Sequence, residues 1–227
     1  MDKDLRLLLE ADSPLMEWFK DKAPGTFRHC EAVAQLTDAI SAELDLDRSI
    51  LYTAAKLHDI GKTVNPDYFC ENQAKDNNIH NKLPPDVSFQ YISRHVSDGL
   101  LLLIDEPCVP RAVLKIISEH HGNSAIKSLC NDKASLDKFR YSSKPPTTVE
   151  ACSLMICDVV EAATRAMFTA GKLDDIEGTI TSLLDGMIED NQLNNLKIGE
   201  LVAIKQILFN EVGNLYHKRV EYKEQSE

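Results

Sequence analysis

Long hydrophobic runs, aromatic residues and basic charge are all scarce in this chain of 227 residues. The longest purely apolar run, residues 100–104, is far too short to span a bilayer, which takes about 20 residues. Aromatic residues make up only 6%, whereas Leu, Ile and Ala are plentiful, and this balance favours helices over sheets. The net charge of −11 argues against broad binding of nucleic acids or anionic membranes. A small phosphate ligand is not excluded, because bound metal ions would supply local positive charge.

The cysteines lack any CxxC spacing, and there is no pattern typical of a signal peptide. The six cysteines are at positions 30, 70, 108, 130, 152 and 157. Most lie in apolar helical patterns such as residues 151–157, so we expect reduced, buried thiols in a reducing cytosol. Residues 1–4 are charged and mixed in sign, unlike the start of a secretory signal. These observations predict a soluble, cytoplasmic chain.

Helical periodicity recurs along almost the whole sequence. We expect helices at about residues 5–22 (interrupted at Pro14), 27–44, 48–58, 88–103, 110–121, 147–170, 173–190 and 197–216. Thr26, Asp47 and Thr147 are candidate N-caps, and Glu150 would complete a capping box with Thr147. The polar segment 61–85 is long for a loop, and long loops tend to be functional. The sequence predicts an all-α fold: a helical extension at 1–25 packed on a domain at 26–217, with a flexible tail at 218–227.

Two motifs place metal-type ligands side by side. His58 and Asp59 lie in the segment KLHDIGK (56–62), and His120 and His121 lie in SEHHG (118–122). Each pair ends an apolar helical stretch and is closely followed by glycine, so its side chains can converge on one point. His and Asp are costly to bury unless they are paired or bound to metal. The alternatives are that His58 caps the end of its helix and that the second pair is a surface pair or one core histidine.

Three further side chains complete a set of five histidines and two aspartates. His29 and His95 lie on other predicted helices, and Asp158 lies inside the apolar run 155–160, where it needs a buried partner. The alternatives are a surface position for His29 and an ion pair between Asp158 and Arg165. Together the seven residues are the ligand inventory of a two-metal hydrolytic centre. Imidazoles and carboxylates in combination suit iron, manganese, zinc or cobalt.

The order His29, His58-Asp59, Asp158 resembles the H…HD…D signature of the HD superfamily of metal-dependent phosphohydrolases. The chain is most similar to one subfamily, the cytoplasmic HD domain of the seven-transmembrane-HD receptors, which are cyclic di-AMP phosphodiesterases. The segments that carry this resemblance are APGTFRH (23–29), HDIGK (58–62), FCENQ (69–73), HVSDG (95–99), EHHG (119–122), RY (140–141), KPPTT (144–148) and DVVEAATR (158–165). The resemblance runs from about residue 5 to past residue 208.

The resemblance implies an all-α, single HD-domain helical bundle with two divalent transition metals, iron or manganese, although zinc, cobalt or nickel would also fit. One metal would be held by His29, His58 and Asp158. The other metal would be held by His95, His120 and His121. Asp59 would bridge both metals. The implied reaction opens cyclic di-AMP to pApA: a metal-bridging hydroxide attacks phosphorus, and the 3′ oxygen leaves.

Several cationic side chains are candidates for contacts with the substrate. Lys62 lies just beyond Asp59 and would neutralise phosphate charge or help to protonate the leaving oxygen; its alternative is a solvated loop lysine. Arg140 and Lys144 are candidates for the second phosphate or the bases, with the same alternative. His80 is either a substrate contact or a residue that orders its loop. Residues 71–73 could orient the histidine ligands from outside.

Some features depart from the subfamily and leave other functions open. The subfamily usually has a glycine where Ser143 stands and a proline where Ile79 stands, and both positions fall in presumed substrate loops. The related cyclic di-GMP enzymes carry Gly-Tyr-Pro where this chain has GNSA (122–125), which disfavours that subgroup. Alternatives are hydrolysis of another phosphate ester, a non-catalytic nucleotide or redox sensor, and a di-iron oxidase. We expect a small nucleotide as the binding partner and no binding of nucleic acid. Association with a membrane would require a tether outside this sequence, and a homodimer is one of the assemblies that the sequence allows.

Overall fold

Helices make up most of residues 3–73, 78–130 and 133–224, which a computed structural model describes. They are α1 (Lys3–Leu8), α2 (Pro14–Lys22), α3 (Pro24–Leu44), α4 (Arg48–Leu57), α5 (Pro85–Leu103), α6 (Arg111–Glu119), α7 (Val149–Thr169), α8 (Ile176–Glu189) and α9 (Ile198–Glu224). Within these described residues there is no β-strand, and an isolated antiparallel bridge joins Ala125 to Arg140. The prediction of an all-α fold is confirmed.

Two helix starts follow directly from the local sequence. Ser13 precedes α2, and its side-chain oxygen accepts a hydrogen bond from Met16 N, while Pro14 occupies the first helical position. Asp47 caps α4 as predicted, because its carboxylate accepts from Ile50 N at 3.0 Å. Short polar side chains before an apolar run therefore set these two boundaries.

The start of α7 differs from the prediction by one residue. Thr148, not Thr147, is the N-cap, and it accepts from Ala151 N at 3.2 Å. The predicted capping box with Glu150 is therefore wrong, since Ala151 occupies the third helical position. Thr147 instead donates from its backbone N–H and its hydroxyl to the buried carboxylate of Glu119. That contact ties the start of α7 to the end of α6.

The prediction that Thr26 caps α3 is also wrong. The helix begins at Pro24, and no side chain of the local sequence caps it. The backbone N–H groups of Gly25 and Thr26, which have no acceptor within the helix, donate to Asn72 Oδ1 at 2.9 and 3.1 Å. A cap supplied from 46 residues away cannot be recognised in the local sequence.

Helix α3 lies at the centre of the core and packs against α4, α7 and α9. Its inner face contributes Val33 and Ile40, which are fully buried against apolar side chains of the neighbouring helices. Helix α2 joins the same core through Phe19, whose ring meets Phe27 edge-on with centroids 5.6 Å apart. This packing fixes α3, α4 and α7 relative to one another, and these helices carry most of the acidic part of the site described below.

The segments that connect the helices contain short 3-10 turns. These turns are Ile60–Val64, Pro66–Tyr68, Cys70–Asn72, Ile79–Lys82, Lys127–Leu129 and Lys133–Phe139. The last helix continues to Glu224, past the predicted domain end at residue 217, so the flexible tail stays a prediction. Among the described helices, none combines the length and the hydropathy that a membrane span requires. Cys30, Cys152 and Cys157 are buried as expected, but Cys70 is exposed, contrary to the prediction.

Candidate metal centre

The seven predicted ligands come together from five helices. His29 lies on α3, His95 on α5 and Asp158 on α7. The two adjacent pairs directly follow α4 and α6: His58 and Asp59 after α4, and His120 and His121 after α6. A side chain at the end of a helix can point along the helix axis. The two adjacent pairs therefore reach the same point as the three side chains that lie within helices.

Gly61 allows the first motif to touch α5. A Cβ atom at this position would lie 2.0 Å from the carbonyl oxygen of His95 and 2.3 Å from the backbone nitrogen of Gly99. No side chain larger than hydrogen fits between these backbones. The glycine of the HDIGK motif is therefore required by the close approach that brings Asp59 to His95, whose side chains are 3.2 Å apart.

The ligand atoms form two groups that share Asp59. His29, His58 and Asp158 make the first group with Asp59, and we call these three the acidic half. The second group consists of Asp59 and three imidazoles, which we call the imidazole half: His95, His120 and His121. Within each group the ligand atoms all lie within 4.8 Å of one another. This division is the one that the family resemblance implied.

Backbone carbonyls fix the orientation of three imidazoles. The Nδ1 atoms of His58, His95 and His120 lie 2.8, 2.5 and 2.6 Å from the carbonyl oxygens three residues earlier. A carbonyl can only accept, so each Nδ1 carries a proton, and the neutral form of each ring presents the lone pair of Nε2 to the cluster. The alternative role of His58 as a helix-end residue is thus compatible with its role as a ligand.

Several buried atoms of the cluster lack a hydrogen-bond partner. These are Nε2 of His58 and both carboxylate oxygens of Asp59. Nε2 of His95 and Nε2 of His120 face each other at 3.4 Å, and both Nδ1 protons are already used, so the two lone pairs meet. Buried polar atoms without a partner are costly, and lone pairs that converge need a proton or a cation between them. The donor set therefore fits divalent transition metals.

Glu161 orients the acidic half from outside. His29 lies between two carboxylates, with Nδ1 2.5 Å from Glu161 and Nε2 3.0 Å from Asp158. Arg165 pairs with Glu161 at 3.1 Å and not with Asp158, so the alternative ion pair considered for Asp158 is not formed. Glu161 was not among the predicted site residues. A usable signal was present, because an acid three residues after Asp158 in an apolar helix lies on the same face.

The two halves have opposite electrostatics. Burial alone would lower the pKa of His29, but Asp158 and Glu161 raise it to about 9. Burial lowers the pKa of His120, and the neighbouring imidazoles lower it further. Burial and the adjacent His120 also hold the pKa of His121 well below its usual value. Without a cation, the acidic half therefore holds a proton at neutral pH, whereas these two imidazoles are neutral.

Lys62 adds a positive charge to the cluster. Its Nζ lies 2.6 Å from an Asp59 oxygen, as an ion pair without hydrogen-bond alignment, and 2.9 Å from Glu71. Burial would lower the pKa of Lys62, but the two carboxylates raise it well above its usual value. Glu71 also accepts a hydrogen bond from the Thr26 hydroxyl at 3.0 Å. The interpretation of Lys62 as a solvated loop lysine does not hold, since the amine is largely buried between two acids.

Tyr141 covers the imidazole half. Its ring stacks on His121 with centroids 4.3 Å apart and an interplanar angle of 26°. His121 is the most exposed of the seven predicted ligands, with 19% of its side chain accessible, so the cluster opens to solvent at this residue. Tyr141 was not predicted as a site residue, although its position beside Arg140 in the RY segment pointed to this loop.

The other predicted substrate contacts lie outside the cluster. Nε2 of His80 bonds the Tyr68 carbonyl at 2.7 Å, which is the loop-ordering role considered for it. Arg140 forms a two-pronged pair with Asp190, at 3.2 and 2.8 Å, and also donates to the Asn123 carbonyl. Lys144 is exposed, and no described carboxylate lies within ion-pair distance of it. These residues stay predictions as substrate ligands.

Known proteins resemble this chain in sequence and in fold. A family model described as "HD domain" matches residues 26–163. The chain is 31% identical over 227 residues to the Cyclic-di-AMP phosphodiesterase PgpH of Listeria monocytogenes serotype 1/2a (strain 10403S), covering 95% of this chain. It spans only 31% of the length of that curated relative.

Solved structures give the same result for the fold. The crystal structure of the L. monocytogenes phosphodiesterase PgpH HD domain superposes with a TM-score of 0.81 at 31% identity, covering 90% of this chain and 99% of that one. A crystal structure of the same domain in complex with Cyclic-di-AMP matches with a TM-score of 0.81 at 30% identity and the same coverage. The family match over residues 26–163 and this structural agreement show that the chain belongs to the HD domain family.

Proposed function

We propose that this chain is a metal-dependent phosphodiesterase that hydrolyses a cyclic dinucleotide, cyclic di-AMP, to linear pApA. The observation that carries the proposal is the pair of ligand groups that share Asp59, in a domain similar throughout to one solved with Cyclic-di-AMP. Water adds to one phosphorus, the bond to the 3′ oxygen breaks, and that oxygen takes up a proton. The product then carries a terminal 5′ phosphate.

Seven side chains would hold the metals. His29, His58 and Asp158 would bind one cation, while Asp59 would be shared with a second one at His95, His120 and His121. Two such ions, when bound, supply a water of lowered pKa and positive charge for the attacking and leaving oxygens. Asp59 is buried, and neither of its oxygens accepts an aligned hydrogen bond, as suits a shared ligand. Iron or manganese is the proposed identity, and zinc, cobalt or nickel would also fit this donor set.

Lys62 would neutralise charge in this site. Its ammonium is held by Asp59 and Glu71 and its pKa is raised, so it keeps its proton at neutral pH. A lysine of this kind stabilises the negative charge that builds up on a reacting phosphate. It is poorly suited to donate a proton to the leaving oxygen. Of the two predicted roles, we therefore propose charge neutralisation.

The remaining cations would act at the second phosphate. Lys144 is exposed and able to move toward an anion. Arg140 would have to exchange Asp190 for the phosphate, because its guanidinium is already occupied.

His80 would act by ordering the 3-10 segment that begins at Ile79. A cytoplasmic location, a homodimer and a membrane tether outside this sequence remain predictions.

Anaerobic reconstitution with Mn²⁺ or Fe²⁺, followed by chromatography of products from cyclic di-AMP, tests the proposal. We expect pApA from the loaded protein, and none from the metal-free protein or from Asp59→Asn. The wild-type protein with full metal content and no turnover would refute the proposed substrate.

Hydrolysis of another phosphate ester is the second candidate function. Ser143, which stands where the subfamily usually has glycine, lines a cavity next to His121, so this departure lies where a substrate would bind. A panel of cyclic di-GMP, linear dinucleotides and mononucleotides, compared by kcat/KM, separates the candidates. A higher value for any of these than for cyclic di-AMP would favour the second one.

A further inference from the structure

Lys62 has two carboxylate partners, and one of them is a predicted metal ligand while the other is not. Its ammonium lies 2.6 Å from an oxygen of Asp59 and 2.9 Å from Oε1 of Glu71. Asp59 belongs to both groups of ligand atoms, whereas Glu71 belongs to neither. The two ion pairs of Lys62 therefore respond differently when cations enter the cluster.

Cations in the cluster would remove the support that Asp59 gives to Lys62. Two cations would take the Asp59 oxygens as ligands, and both would repel an ammonium beside them. Lysine is a flexible side chain with a strongly hydrated ammonium, so a repelled Lys62 would turn outward to solvent. The negative charge of Glu71 is what opposes that movement.

Glu71 is well placed to hold the ammonium after Asp59 is occupied. Its side chain is only 7% exposed, so water and salt screen its ion pair with Lys62 weakly. Burial would raise the pKa of Glu71, but the ammonium of Lys62 lowers it to about 2, and the carboxylate is therefore charged at neutral pH. Its Oε1 atom also accepts from the Thr26 hydroxyl at 3.0 Å, which fixes the carboxylate on the side of Lys62.

The 3-10 turn that carries Glu71 is anchored to the start of α3. A Cβ atom at Gly25 would lie 1.9 Å from the carbonyl oxygen of Glu71, so only glycine allows the turn to come this close. The side-chain amide of Asn72 also donates to the Thr26 hydroxyl at 2.9 Å. Helix α3 carries His29 about one turn further on, so the same helix sets the position of Glu71 and of a predicted ligand.

We propose that Glu71 is a positioning residue, which keeps the ammonium of Lys62 at the metal centre once cations have taken the oxygens of Asp59. The proposal rests on the proposed function, in which Lys62 neutralises charge on the reacting phosphate. Glu71 itself would touch neither the metals nor the phosphate. Its carboxylate would offset the cost of keeping an ammonium next to two cations.

Chemical labelling of Lys62 tests the proposal without any substrate. An amine-reactive reagent modifies lysines that are free and accessible, and mass spectrometry of the peptides gives the labelling rate at each position. The wild-type protein and Glu71→Gln are labelled with and without bound Mn²⁺. Glutamine has nearly the size of glutamate and keeps an acceptor for the Thr26 hydroxyl, so this change mainly removes the charge.

The expected result is a difference that depends on the metal. Lys62 should be protected in the metal-free and in the loaded wild-type protein. In Glu71→Gln it should stay protected without metal, because Asp59 still pairs with it, and it should be labelled several times faster when Mn²⁺ is bound. Glu31→Gln is the matched control, since Glu31 pairs with another buried lysine, Lys56, and it should leave the labelling of Lys62 unchanged in both states.

The kinetics of cyclic di-AMP hydrolysis give a second readout. Lys62 would act on charge that builds up in the transition state, so Glu71→Gln should lower kcat about tenfold to a hundredfold with little change in KM. The metal content should stay at the wild-type level, which separates this effect from the loss of a ligand. Glu31→Gln should match the wild type.

A Lys62 that stays protected in loaded Glu71→Gln would overturn the proposal, and so would labelling that is equally fast without metal or an unchanged kcat. If that variant fails to fold, the wild-type protein decides, because labelling of Lys62 that rises when Mn²⁺ binds would show that Glu71 does not hold it. The two proposals fail separately. Loaded wild-type protein without turnover of cyclic di-AMP refutes the hydrolysis, and the labelling still shows whether Glu71 holds Lys62.

Discussion

The acidic half and the imidazole half of the candidate metal centre share Asp59, and each contains a histidine oriented by a backbone carbonyl, but only the acidic half contains a histidine, His29, with a carboxylate at hydrogen-bond distance from each ring nitrogen. In the acidic half, His29 is held by Asp158 and by Glu161, and these charges raise its pKa to about 9. In the imidazole half, His95 and His120 are oriented by neutral carbonyls of their own helices. Burial keeps the pKa of His120 below its usual value.

The difference shows that geometry and charge state are set by separate means. Backbone carbonyls three residues earlier fix the orientation of His95 and His120 without adding charge, so these rings already direct their Nε2 atoms at the cation position. Carboxylates attract the cation more strongly, but they also attract a proton to His29 that must leave first. The two halves can therefore differ in their affinity for a cation and in the pH dependence of that affinity, although they share Asp59.

The largest expected effect comes from the ligand that the halves share. Asp59→Ala should lose both cations together, whereas His29→Ala and His120→Ala should each lose mainly one. Cyclic di-AMP hydrolysis should fall to background in Asp59→Ala, because no activated water remains. Elemental analysis of gel-filtered protein checks the occupancies. Full metal content in Asp59→Ala would contradict the proposal that Asp59 is a ligand of both cations.

Lowering the pH should empty the acidic half first. His29 has its pKa raised to about 9, so below that pH a cation must displace its proton. The affinity of this half should fall by about tenfold or more for each pH unit below 9, because, against the effect of burial, Cys30 and Asp59 also raise the pKa of His58 well above its usual value. In the imidazole half, the lowered pKa values of His120 and His121 mean that these two ligands have no proton to lose over the same window.

Manganese titrations between pH 9 and pH 6 measure this, with His29→Ala and His120→Ala used to assign each step. Equal pH dependence of the two steps would contradict the electrostatic difference between the halves.

Removing the charge of Glu161 should weaken only the acidic half. Glu161→Gln keeps an acceptor for His29 Nδ1 but removes the anion, and changes outside the ligands typically cost about 10–100-fold in metal affinity. Glu150→Gln is the matched control, an acid-to-amide change on the same helix outside the site. Competition with a chelator gives the two affinities. A loss of the same size in both halves would mean that Glu161 supports the whole cluster.

The smallest expected effect concerns the loop that follows the imidazole half. Arg140 holds Asp190 and the Asn123 carbonyl just after the histidine pair. The pair is partly exposed, at 28% and 25% of the side chains, so after allowance for screening we expect about 1 kcal/mol from it. Arg140→Met and Asp190→Asn should each lower the free energy of unfolding by that amount, and the double variant by no more.

Denaturant titrations measure the unfolding free energies of these loop variants. A kcat/KM for cyclic di-AMP that falls in Arg140→Met and not in Asp190→Asn would show instead that Arg140 contacts substrate.

Five of the seven predicted ligands stand out in the sequence because they break a local rule. Asp158 sits in an apolar run, and two pairs of metal-type residues end apolar helices, so the helical period and the cost of burial identify them. The supports were harder to find. Asn72 caps a helix 46 residues away. Tyr141 covers His121 from a loop without periodicity. These contacts depend on how the helices are arranged, which a local pattern does not encode.

A crystal of the protein grown with Mn²⁺, measured at the manganese absorption edge, would show directly whether two cations share Asp59. We expect two anomalous peaks, one among His29, His58 and Asp158 and one among His95, His120 and His121, both within ligand distance of Asp59. A single peak, or peaks that Asp59 does not touch, would contradict this expectation.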